Sequence, residues 1–131
     1  MNTDVSIIIV NYNTLHVLQP CIDSIVEHTR DINYEIIVVD NGSIDGSVEA
    51  LTNDQRIILI PTGENLGFGR ANNRGLERAI GCYVFFLNSD TLLKNNAIKM
   101  LYDFAEQYPG RIGALGCILE DRQCNKIQSY G

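Results

Sequence analysis

Val5 to Tyr12 reads VSIIIVNY, an almost unbroken β-branched run interrupted by a single serine. A strand with one face in water alternates apolar and polar residues, whereas a strand covered on both faces does not. Continuous runs of this kind belong to parallel sheets packed between helices. The stretch therefore predicts a central strand. Similar runs follow at Tyr34–Asp40 (YEIIVVD), Arg56–Pro61 (RIILIP), Tyr83–Asn88 (YVFFLN) and Ile112–Leu119 (IGALGCIL). YVFFLN, strongly apolar, is expected to be a buried strand.

Between the runs, apolar residues recur at three- and four-residue steps. Leu15, Leu18, Ile22, Ile25 and Val26 mark one helix face behind Thr14, a candidate cap. Pro20 has no amide donor and suits a first turn, so the regular part of this helix is expected to begin near Pro20. A short helix is expected over 47–52. Another is expected over 68–80, with Phe68, Ala71, Gly75, Leu76 and Ala79 turned inward, and a last one over 95–108, with Ile98, Leu101, Tyr102 and Ala105 on one stripe. Strands alternating with helices imply a parallel α/β sheet with short right-handed crossovers. The tail after Leu119 is polar and carries no strong signal.

A chain of 131 residues supports one domain, taken as 1–131, and is too short for two of ordinary size. Its apolar runs fall far below the roughly 20 residues of a membrane-spanning helix. Its first ten residues show no basic segment or cleavage site, from which a cytoplasmic location is expected. A net charge of -6, spread along the chain, argues against nucleic acid as a partner. Cys21, Cys82, Cys117 and Cys124 show neither C-x-x-C spacing nor nearby histidines, so they read as reduced thiols, with Cys82 and Cys117 acting as small hydrophobes inside strands. His16 and His28 read as surface residues.

In open α/β sheets, ligands bind beyond the carboxyl ends of the strands. Those ends carry Asn11, Tyr12 and Asn13; Asp40, Asn41 and Gly42; and Asn88, Ser89 and Asp90. Between the third and fourth strands lies GENLGFGRANNRG, Gly63–Gly75. Glycines there let the backbone approach a bulky ligand, and amides at a helix start can receive phosphate oxygens, a role that fits Gly67 and Gly69. The same glycines could merely shape a loop. Asp90 could hold a hard divalent cation or cap the next helix; Asp40 could bind a base or ribose or simply close a turn. Tyr12 could stack on a nucleobase or sit half-buried at the sheet edge. Asp45 reads as a turn or N-cap residue. GFGRAN imitates the dinucleotide fingerprint, but that motif belongs between the first strand and first helix, where this chain has NYNT.

VSIIIVNYN, EIIVVDNGSIDGS, ENLGFGRANNRG and YVFFLNSD occur in an order and spacing that resembles family 2 nucleotide-sugar glycosyltransferases, most closely the bacterial rhamnosyltransferase type. The resemblance covers the chain to about Leu119. It implies a Rossmann-like GT-A three-layer sandwich with a mainly parallel central sheet. It implies an inverting transfer of sugar from a UDP- or dTDP-sugar to a glycan or lipid-linked acceptor, in bacterial surface polysaccharide synthesis. Asn11 and Tyr12 would hold the nucleoside and Asp40 the base, while Asn65, Gly67, Asn72 and Asn73 line the donor site. Asn88, Ser89 and Asp90 stand at the family's Asp-x-Asp motif, with Asp90 the ligand to Mg or Mn. Two positions depart from the pattern: Asn88 replaces the first aspartate, and Asn72 stands where many members carry arginine.

The family's acidic catalytic base lies well downstream, so the chain is expected to be the donor-binding part of a longer enzyme, with its catalytic base unknown. Such a half-domain would expose apolar surface that a second copy could cover. A lipid-linked acceptor would bring peripheral association with the inner face of the membrane. The alternative is a non-catalytic nucleotide- or sugar-binding module acting with a partner chain; a sugar nucleotidyltransferase is weaker, because its basic glycine-rich loop after strand one is missing.

Overall fold

The computed structural model describes residues 2–110, 119–120 and 126–127. Its main sheet has four strands: β1 (Val5–Asn11), β2 (Tyr34–Asp40), β3 (Ile58–Pro61) and β4 (Tyr83–Asn88), in the order β3-β2-β1-β4 and all parallel. The helices between and after them are α1 (Leu15–His28), α2 (Ser47–Leu51), α3 (Phe68–Arg78) and α4 (Ala97–Gln107). A separate antiparallel pair joins β5 (Leu119–Glu120) to β6 (Lys126–Ile127). The expected strand over 112–119 lies outside the described residues except for Leu119, as do Cys117 and Cys124.

The lack of alternation in β1 has the cause the sequence suggests, since both of its faces are covered. Ile7 and Ile9 pack with Leu18, Cys21, Ile22 and Ile25 of α1, Leu51 of α2 and Ile98 of α4. Ile8 faces the other way and packs with Ile37, Val39 and Ala71 of α3. The result is an α/β/α sandwich whose two cores share the central strands, each buried Ile or Leu contributing roughly 1.5–3 kcal/mol.

Several expectations are corrected. α1 starts at Leu15 and carries Pro20 inside it. The proline is tolerated because it and His16, whose carbonyl loses its partner, both face solvent. Val26 is exposed, as are Phe68 and Leu76; α3 uses only Ala71 and Gly75 as fully buried contacts. Among the described residues β4 lies at the side of the sheet with no strand beyond it, and Phe86 is exposed. Cys82 precedes this strand and is exposed.

Candidate functional site

Parallel register sets the carboxyl ends of the strands level, with Asn11 opposite Asp40 and Val10 opposite Asn88. The chain runs outward from β1 to β3 and then returns across the sheet to β4 on the other side of β1, which is the switch point where open α/β sheets form a crevice. A cavity of about 430 Å³ lies there, within the roughly 300–1,000 Å³ usual for small-molecule sites. Val10, Tyr12 and Thr14 line it from the end of β1, Asn41 from β2, Asn65 and Phe68 from the glycine-rich segment, and Asn88, Ser89 and Asp90 from β4.

Behind this lining, hydrogen bonds tie the strand ends together. Asn11 Nδ2 donates to Asp40 Oδ1 (2.9 Å), and the Ser43 amide donates to Asp40 Oδ2 (3.0 Å). Thr14 Oγ1 donates to Asn11 Oδ1 (2.6 Å) and shares a hydrogen bond with Ser89 Oγ (3.1 Å). Asp40 is 1% exposed, and both of its carboxyl oxygens accept hydrogen bonds from protein donors. Its role in this geometry is to orient Asn11 and the 40–43 turn, and it does not line the cavity.

The segment before α3 is fastened to the end of β2. The Thr62 amide and hydroxyl both donate to the Asp40 carbonyl (2.9 and 3.0 Å). Gly42, at φ +86°, lets the turn approach so closely that a Cβ there would stand 2.9 Å from backbone atoms of Glu64. Gly67 adopts φ 86°, ψ 161°, a region open essentially to glycine alone. α3 then opens with the Ala71 amide on the Gly67 carbonyl (3.1 Å) and has no side-chain cap. Its first-turn amides therefore remain available to a ligand's oxygens.

Asp90 is exposed on the opposite side of the cavity. α4 does not begin until Ala97, with Asn96 as its N-cap, so Asp90 is not a helix cap. No group of three or more His, Cys, Asp or Glu residues suited to a metal occurs among the described residues. One carboxylate facing a cavity is still the donor set that suits Mg-type cations, which take one or two carboxylates and complete their shell with water and substrate phosphates. Asp90 also acts on its surroundings: burial, then the Asp90 charge, push the Cys21 thiol up to about 12 from 9.0, against a lowering backbone bond from Thr91.

Of the residues singled out from sequence, Tyr12, Asn65, Asn88, Ser89 and Asp90 meet at the cavity. Asn11 and Asp40 support it from behind, and Gly67 shapes its loop. Asn72 and Asn73 lie further along α3 and do not line it. Asn41, placed from sequence among the polar strand ends, also lines it, whereas sequence reasoning missed Thr14 and Phe68 as lining residues. Phe68 was expected inward, yet it sits at the first helical position, above the buried Ala71, and is 61% exposed.

The family model described as Glycosyl transferase family 2 matches residues 6–126, and the chain belongs to that family. It is 36% identical over 112 residues to the glycosyltransferase GlyA of Streptococcus pneumoniae serotype 4, covering 82% of this chain and 16% of that protein. It is 34% identical over 104 residues to the putative teichuronic acid biosynthesis glycosyltransferase TuaG of Bacillus subtilis, covering 76% of this chain and 41% of the relative. Among solved structures, S. aureus TarS 1-349 in complex with UDP-GlcNAc aligns at TM-score 0.69 and 25% identity over 80% of this chain and 32% of that one. The mannosyltransferase PcManGT of Pyrobaculum calidifontis, in complex with GDP-Man and Mn2+, aligns at TM-score 0.63 and 27% identity over 73% and 30%. The fold is thus that of the GT-A glycosyltransferases, and the chain is homologous to enzymes of bacterial surface-polymer synthesis. It spans less than half the length of each of these relatives.

Proposed function

We propose that this chain is the donor-binding part of an inverting glycosyltransferase, taking sugar from a UDP- or dTDP-sugar for transfer to a glycan or lipid-linked acceptor of a bacterial surface polymer. The observation that carries the reading is the convergence of Tyr12, Asn65, Phe68 and Asp90 on one cavity at the switch point of the sheet. Tyr12 and Phe68 offer aromatic faces to a base. Asn65 and the first turn of α3 offer amide hydrogen-bonding groups. Asp90 would hold Mg or Mn beside the diphosphate, and the bound cation would supply Lewis-acid stabilisation of charge on the leaving nucleoside diphosphate. TarS with UDP-GlcNAc supports a UDP donor; the LN-x-D ending and glycine-rich segment support the rhamnosyltransferase type and a dTDP donor. PcManGT with Mn2+ supports the cation. A lipid-linked acceptor would bring the reaction to the inner face of the membrane; no helix among the described residues is long and apolar enough to cross it.

Calorimetric titration with UDP and dTDP, each with and without Mn, tests this reading. Wild type is expected to bind at least one of them more tightly with the cation. Asp90→Asn should remove that increment, a loss of about tenfold or more for one charge-assisted ligand. Affinity that is indifferent to both cation and substitution would overturn the assignment of Asp90.

A further inference from the structure

Asn41 is 3% exposed, and both ends of its amide are committed to one short segment of chain. Nδ2 donates to Asn65 Oδ1 (2.9 Å) and lies 3.5 Å from the Gly67 carbonyl, while Oδ1 accepts from the Leu66 amide (2.8 Å). Asn65 Oδ1 accepts in turn from the Gly67 amide (2.9 Å). Three consecutive residues are thereby held by one side chain. Only an amide does this: a carboxylate would keep the bond to Leu66 but set its charge against two acceptors, and an apolar residue would strand the Leu66 amide.

The segment so held matters because Asn65 and Phe68 both line the cavity, and Gly67 between them is in a glycine-only conformation. A loop of this composition would otherwise sample many shapes, and a ligand would have to order it on binding. We propose that Asn41 is a positioning residue: it latches the Asn65–Gly67 turn to the end of β2, so that this wall of the cavity is built before the ligand arrives. The inference rests on the donor-site reading above and assigns Asn41 an action through the loop, separate from any contact of its own with the ligand.

The test combines amide hydrogen exchange of the free protein with calorimetry of UDP in the presence of Mn, on wild type, Asn41→Asp, Asn65→Ala and the double variant. Asn65 is exposed, so its variant breaks the latch from the outside without touching the core. Each single variant is expected to speed exchange at Gly67 and to weaken UDP by about tenfold; Asn65→Ala should leave Tm nearly unchanged, whereas Asn41→Asp should lower it, because its buried charge faces two acceptors. The double variant should lose no more than the worse single one, because both substitutions release the same turn. Unchanged exchange rates would overturn the latch. Losses that add would overturn it also, because they would mean that each side chain meets the ligand independently. A wild-type chain that binds no UDP would overturn the donor-site reading instead, and the exchange rates would then decide the latch by themselves.

Discussion

Asp45 joins two helices that are remote in sequence. Its Oδ2 accepts from the Leu15 amide (3.0 Å) at the start of α1, and its Oδ1 accepts from both the amide (3.0 Å) and the hydroxyl of Ser47 at the start of α2. The Ser47 hydroxyl foremost, then the Leu15 amide, hold its carboxyl below the ordinary 3.8. A carboxyl depressed by folding stabilises the native state above its unfolded value and loses that contribution as pH falls through the folded one. Asp45→Asn is therefore expected to lower stability at neutral pH, with the gap to wild type closing only as pH drops below about 3.8. Denaturant melts across that range measure it, and a gap independent of pH would count against the charge. The sequence allowed Asp45 as a turn residue or a cap of α2. Its bond to Leu15 was illegible, because it spans thirty positions and depends on where β1 and β2 place their ends.

At the scale of elements, α3 meets the sheet through Gly75, whose added Cβ would stand 2.6 Å from Ile8 Cγ2 and 3.2 Å from Val39 Cγ2. Replacing a helical glycine by alanine ordinarily gains about 1 kcal/mol, but overpacking costs roughly 1–3 kcal/mol. Ile8 Cγ2 is a branch next to the backbone of the central strand and has little room to yield, so the cost is expected to win. Gly75→Ala should lower unfolding stability by about 1 kcal/mol, read from the denaturant midpoint; a gain would show that α3 can lift from the sheet freely. The inward run Ala71–Gly75 was readable from spacing. The outward turn of Phe68 was not, since a phenylalanine at helical spacing from buried residues ordinarily packs with them, and only the position of Phe68 at the cavity mouth removes it from the core. The place of β4 beside β1 was hidden for a related reason: strand order does not follow from hydrophobicity, and YVFFLN looks the same next to any strand of the sheet.

For the whole molecule, Cys21 reports on the integrity of the core, because it is wholly buried in the cluster shared by β1, α1, α2 and α4, and its thiol is held up near 12. Cys82 lies outside that cluster and is exposed. Iodoacetamide at about pH 8 should modify Cys82 in the native protein and reach Cys21 only when the fold opens, as peptide mapping across a denaturant series would show. Labelling of both at equal rates would contradict a single tightly packed core on that face of the sheet. The sequence by itself determined the alternation of strands and helices, the parallel sheet and the gathering of polar residues at one edge, because these follow from local periodicity and from the level ends that parallel strands must have. Only the tertiary structure decided that Asp40 turns inward to Asn11 and Ser43 while its neighbour Asn41 takes hold of the glycine-rich segment. Adjacent residues leaving a strand look alike in sequence, and which of them faces the cavity depends on the neighbours that strand order and register bring beside them.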